Sequence, residues 1–229
     1  MVCRRTRLQG TRRLSLADAG HSGRWYICRH GETVFNAARR LQGDAAHTPL
    51  TRTGFAQADA MGSALAARLG AAPALTLWSS DTSRALQTLA VIAEQCGLDW
   101  HEAQVDARLN EIDVGEWGGR TYADVTREGG AIVDPATGLF ARGAPGGEDY
   151  ADVAARLANW LADTAMQDGD RLIVMHGMSS RVLRGLLTGL GPLDGYGVPI
   201  APSLPQGTLS LVEQGRETVL HTGSGTRAH

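Results

Sequence analysis

Apolar runs of four to six residues alternate along the chain with longer stretches whose apolar positions recur at helical spacing. Short runs without polar alternation read as strands covered on both faces, and the helices between them supply the cover, so the pattern predicts an α/β domain on a largely parallel sheet. Strands are expected at 25–28 (WYIC), 74–78 (ALTLW), about 101–105, 171–175 (RLIVM) and 207–213 (GTLSLVE). Helices are expected over 53–69, 83–95, 148–165 and 179–190, with Thr51 or Thr53, Asp81 or Ser83, and Ser179 as N-caps. Residues 113–147 are rich in glycine and turn formers and read as a long insertion, at most partly helical, of the kind that lids an active site.

Composition narrows the picture. With 229 residues, 43% of them hydrophobic, the chain is long enough for one sizeable core, and no apolar run approaches the roughly 18 residues a membrane span needs. Residues 1–24 hold six arginines and one acid, Asp18, without apolar periodicity, and read as a basic, disordered leader ahead of a domain over 25–229. The remaining 16 arginines face 23 acids, a formal charge of −7, which argues against a general nucleic-acid surface. Cys3, Cys28 and Cys96 form neither a CxxC nor a metal spacing, so a reducing cytoplasm is the expected location.

Ligands of parallel α/β sheets bind beyond the carboxyl ends of the strands, which directs attention to the polar residues that follow each apolar run. Arg29 and His30 follow the first run, Ser79 and Ser80 the second with Arg84 a helical turn later, Glu111 the third, and His176 and Gly177 the fourth. Two histidines, two arginines and a carboxylate would converge on one mouth. Arginine forks and helix N-termini match a tetrahedral oxyanion, so a phosphate fits. No HxH or HExxH spacing is present, and no metal is expected.

The ordered set RHGET with Asn36, RRLQG, PLTRTGFAQA, SSDTSRALQT, LNEIDVGEWGG, PGGE and VMHG, running from about Trp25 to Leu211, resembles the histidine phosphatase superfamily, the phosphoglycerate mutase-like proteins. The resemblance implies a three-layer α/β/α sandwich with a mostly parallel central sheet. It implies His30 as the nucleophile that becomes phosphohistidine, Arg29 and Arg84 on the phosphoryl oxygens, His176 as second histidine and Glu111 as proton donor to the leaving oxygen. Asn36 would add a phosphoryl hydrogen bond and Gly177 a backbone amide, with Thr33, Gln42 and Gly43 nearby. No cofactor is implied, and the expected partner is a small phosphorylated metabolite, with neither nucleic acid nor membrane. A homodimer is compatible with exposed apolar helix faces.

Two departures bear on specificity. Gly118 stands where many phosphatases of the family have glutamate, and the 44–48 stretch is one residue longer than usual, with His47 where an acid is common. The NEIDVGEWGG segment and the short insertion resemble the phosphatase branch more than cofactor-dependent mutases, which carry an ERHYG-like segment. A phosphomonoesterase is therefore the expected activity, with a mutase as the alternative and a non-catalytic phospholigand-binding module as a third, less favoured reading.

Overall fold

Residues 23–225 are described by the computed structural model. Strand β1, Trp25–Arg29, has Trp25 and Ile27 in one apolar cluster and Tyr26 and Cys28 in another, because successive side chains of a strand leave on opposite faces. Strand β4, Asp170–Met175, divides its run in the same way: Ile173 and Met175 join the first cluster, Leu172 and Val174 the second. Helices α2 (Arg52–Leu69) and α3 (Ser83–Cys96) cover the second face, and α5 (Tyr150–Asp163) and α6 (Gly177–Leu187) cover the first. The result is the expected α/β sandwich of three layers.

The six-stranded sheet has the order β3-β2-β4-β1-β5-β6, with β2 at Leu75–Ser79, β3 at Gln104–Val105, β5 at Leu209–Glu213 and β6 at Arg216–His221. β3, β2, β4 and β1 run parallel, while β5 lies antiparallel to β1 and β6 antiparallel to β5. Register pairs Arg29 with Met175 and Ser79 with Val174, so the residues after three strands emerge along one edge.

Several boundaries differ from expectation, each for a local reason. The third strand is only Gln104–Val105, because Trp100–Glu102 forms a 3-10 turn in which the His101 amide donates to Asp99 Oδ1 at 2.9 Å. α6 begins two residues earlier than predicted: His176 is its extended N-cap and Ser179 lies inside the first turn. Thr82 rather than Asp81 or Ser83 is the N-cap residue of α3, whereas Thr51 caps α2, accepting from the Gly54 amide at 3.1 Å. β6 was not predicted; Gln214 and Gly215, at φ 49° and 73°, form a two-residue hairpin turn whose first residue is not the usual asparagine. Arg24, assigned to the leader, belongs to the folded body, since its guanidinium reaches Asp170 at 2.6 Å. Residues 1–22 of the predicted leader lie outside the described residues.

The glycine-rich insertion is better anchored than its composition suggests. It contains a 3-10 turn, Gly115–Trp117, and helix α4, Tyr122–Gly129, whose Thr121 cap accepts from the Asp124 amide at 3.0 Å. Trp117, Val125, Ile132, Leu139 and Phe140 are buried in the same cluster as Ile27 and Ile173. Each such burial favours the docked arrangement by about 1.5–3 kcal/mol. Among the described residues, no helix is long and apolar enough to cross a membrane. Cys28 and Cys96 are free and buried.

Candidate active site

The ends of β1 and β2 are both held against β4: the His30 amide donates to the Met175 carbonyl at 3.0 Å, and the Ser80 amide donates to the Val174 carbonyl at 3.3 Å. Two fully parallel strand ends thereby set His30 and His176 side by side, ring centroids 5.1 Å apart at 61°. Gly31 makes this possible at the turn, since a Cβ there would lie 2.2 Å from the Gly54 carbonyl oxygen.

Hydrogen bonding assigns the tautomer of each ring. His30 Nδ1 lies 2.7 Å from the Gly31 carbonyl, which only accepts, so Nδ1 carries the proton and Nε2 keeps its lone pair. Arg84 Nε, which only donates, is 3.3 Å from His176 Nδ1; His176 therefore holds its proton on Nε2 and donates it to Ser80 Oγ at 2.7 Å. Burial first, and then the Arg84 charge, hold both imidazoles well below their ordinary pKa, with Arg29 adding to the effect on His30. Both rings are neutral near pH 7. A buried neutral imidazole with a free Nε2 is equipped as a nucleophile.

Arg84 is placed differently from a simple phosphoryl clamp. Its Nη1 donates to Ala45 O at 2.6 Å and Thr48 Oγ1 at 3.0 Å, and its Nη2 to Gly43 O at 2.6 Å. The fork thus ties the 43–48 loop to α3, and only Nε faces His176. Burial lowers the Arg84 pKa to about 10, with Glu111 and Asp44 opposing that shift. Burial also lowers Arg29, again opposed by Glu111. Arg29 lines the cleft.

Thr33, Asn36 and Gln42 form one hydrogen-bonded group beside His30. The Thr33 amide donates to Asn36 Oδ1 at 3.0 Å, the Asn36 amide donates to Thr33 Oγ1 at 3.1 Å, and Gln42 Oε1 accepts from Thr33 Oγ1 at 3.0 Å. The reciprocal Thr33–Asn36 pair caps the short helix α1, Val34–Ala37. Gln206, which the sequence did not single out, joins this group: its Nε2 donates to Asn36 Oδ1 at 2.8 Å and to Gly31 O at 3.1 Å.

Contrary to expectation, Glu111 does not emerge directly from a strand. It follows the 3-10 turn Ala107–Leu109 and is held by Arg156 of α5, which donates to the carbonyls of Arg108 at 2.6 Å and Glu111 at 3.2 Å. Its carboxylate sits on the N-terminus of α6: Oε1 accepts from Ser179 N at 2.9 Å, and Met178 N reaches Oε1 and Oε2 at 3.1 and 3.0 Å. Helix N-termini favour such an anion. Gly177 begins that helix.

These residues border a cleft lined by Arg29, His30, Asn36, Gln42, Gly43 and Glu111. Arg84, His176 and Thr33 are fully buried and stand behind that lining. The cleft also takes Arg39, Arg40, Tyr122, Phe140 and Met178, which the sequence analysis did not assign. RRLQG offered a signal for the arginines; Tyr122 and Phe140 were hidden in the glycine-rich insertion, and Met178 looks like any core residue. Burial pushes the Tyr122 hydroxyl up to about 12.

The architecture has counterparts among known proteins. A mycobacterial glucosyl-3-phosphoglycerate phosphatase, Rv2419c, in a structure with VO3, superposes with a TM-score of 0.69 at 27% identity over 90% of this chain and 100% of its own. YhfR of Bacillus stearothermophilus gives 0.65 at 26% identity over 90% and 98%. The Probable phosphoglycerate mutase GpmB of Salmonella paratyphi C (strain RKS4594) is 35% identical over 168 residues, 72% of this chain and 74% of that protein. The Histidine phosphatase superfamily (branch 1) matches residues 25–220, and the chain belongs to that family of enzymes.

Proposed function

We propose that the protein hydrolyses the phosphomonoester of a small metabolite through a phosphohistidine on His30. The observation that carries this reading is the pairing of His30 Nδ1 with the Gly31 carbonyl, which leaves Nε2 of a buried, neutral ring as the nucleophile. Nε2 attacks phosphorus, the N–P bond forms, and the ester P–O bond breaks. In the substrate complex Glu111 carries a proton and gives it to the departing oxygen. A water then attacks the same phosphorus, Glu111 takes up the proton released, and the N–P electron pair returns to His30.

Charge is managed at short range. Arg29 borders the cleft and interacts with the phosphoryl group directly, while Arg84, 3.3 Å from His176 Nδ1, adds positive potential from behind and keeps Gly43 in place. Asn36 has its Oδ1 turned inward to Thr33 and Gln206, so it offers the cleft its Nδ2 donors. That a 27%-identical phosphatase was solved with VO3 supports an oxyanion ligand for this chain.

The name of the 35%-identical relative keeps one alternative in view, transfer of the phosphoryl group to a phosphoglycerate hydroxyl instead of water. One experiment separates the two. Rapid-quench samples during turnover of labelled phosphomonoester should hold acid-labile label on His30, and a chase should release it as inorganic phosphate at a rate that 3-phosphoglycerate leaves unchanged. Label moving to the added phosphoglycerate favours the mutase, and the absence of any phosphoenzyme refutes covalent catalysis.

A further inference from the structure

We propose that Gln206 is a positioning residue of this site, setting both the tautomer of His30 and the orientation of the Asn36 amide. The inference rests on the reading of His30 as nucleophile. Nothing in the local sequence LPQGT marks position 206; the sheet brings it there. β5 pairs antiparallel with β1, Cys28 opposite Leu209, and continuing that register past the strand ends sets Gln206 opposite Gly31. The Arg29 amide still reaches the Thr208 carbonyl at 3.4 Å on the way.

The identities of the atoms follow from their backbone partners. The side-chain atom of Gln206 that lies 3.1 Å from the Gly31 carbonyl oxygen must be the donor, Nε2. The Asn36 atom 3.0 Å from the Thr33 amide must be the acceptor, Oδ1, and Gln206 Nε2 meets that same oxygen at 2.8 Å. One NH2 group therefore uses its two protons on two acceptors that matter. At Gly31 it shares the carbonyl that His30 Nδ1 also meets at 2.7 Å, holding that oxygen in place to accept from a protonated Nδ1. At Asn36 it opposes an amide flip, which would put NH2 against NH2.

Gln206 is 1% exposed, and the chain past β6 closes over it. The Gly225 amide donates to the Gln206 carbonyl at 3.2 Å, and a Cβ on Gly223 would lie 1.9 Å from that oxygen. This contact offers a second way to disturb Gln206 without changing any cleft residue.

The test uses the full chain with Gln206→Met, Gln206→Glu and Gly223→Ala. Two quantities are read: the burst of 4-nitrophenol from 4-nitrophenyl phosphate, and the 15N imidazole spectrum, with the His30 signals assigned by their loss in His30→Gln. The wild type is expected to show His30 protonated at Nδ1. Gln206→Met should slow the burst at least tenfold with KM changed less than threefold, and should mix the two His30 tautomers. Gln206→Glu keeps the shape but turns oxygen toward two acceptors, so its burst should be slower still. Gly223→Ala should shift both readouts in the same sense. A Gln206→Met burst within threefold of wild type overturns the proposal, and so does a slowed burst with the His30 tautomer unchanged, which is what a merely structural role would give. The imidazole spectrum needs no turnover, so its outcome stands apart from whether the wild type forms a phosphoenzyme.

Discussion

Replacing Glu111 with glutamine separates two roles that the geometry gives one carboxylate. Oε1 accepts from Ser179 N, Met178 N and Ile112 N at 2.9, 3.1 and 3.1 Å, while Met178 N also reaches Oε2 at 3.0 Å. The glutamine oxygen will take the Oε1 position and NH2 the Oε2 position, where it faces the Met178 amide. The contacts at Oε1 survive but lose their charge assistance, worth on the order of 1 kcal/mol each for the two that reach α6. Loss of the anion at the helix N-terminus adds about 0.3–1 kcal/mol. A destabilisation of about 2–3 kcal/mol in urea unfolding is expected. Activity tests the other role: phosphoenzyme formation, followed as a burst, should fall far more on an alkyl phosphate than on 4-nitrophenyl phosphate, because a nitrophenolate leaves without a proton. Equal losses on the two substrates would remove Glu111 as the acid and leave it a helix cap. Unfolding within about 0.5 kcal/mol of wild type would refute the capping argument.

Arg84→Lys keeps a charge but cannot span Gly43 O, Ala45 O and Thr48 Oγ1, and each buried acceptor left unmet costs about 1–3 kcal/mol, so urea unfolding should show a loss of roughly 2–5 kcal/mol together with at least a tenfold fall in kcat/KM. Near-normal values for both would show that point charge suffices. Stability should fall on acidification below about pH 6.5: the unfolded chain protonates His30 and His176 there while the folded chain, whose imidazole pKa values are depressed, does not, so the unfolded state binds more protons and each histidine contributes a slope of about 1.4 kcal/mol per pH unit. Denaturation midpoints of wild type and His176→Asn between pH 7.5 and 5.5 check this, and equal slopes for the two proteins would contradict it. Asn36→Asp should weaken vanadate inhibition by at least tenfold, since it replaces the Nδ2 donors with an acceptor; unchanged inhibition would place Asn36 outside the oxyanion contacts.

What the chain determined by itself is what depends on local periodicity and strand ends. WYIC and RLIVM carry too little polar alternation to be anything but doubly covered strands, and the placement of Arg29-His30 and His176-Gly177 at the ends of those runs could be read directly from the sequence. Contacts between distant segments were another matter. Glu111 had no adequate strand to position it and depends on Arg156, 45 residues away. The Arg84 fork looked available in a helix sequence, yet the carbonyls it serves belong to a loop 39 and 41 residues earlier. Gln206 lies 175 residues from Gly31 and meets it only because β5 runs antiparallel beside β1. Periodicity reports which face of an element is buried; which backbone carbonyl an arginine or an amide will find there is decided by register and loop closure, and these exist only once the sheet has formed.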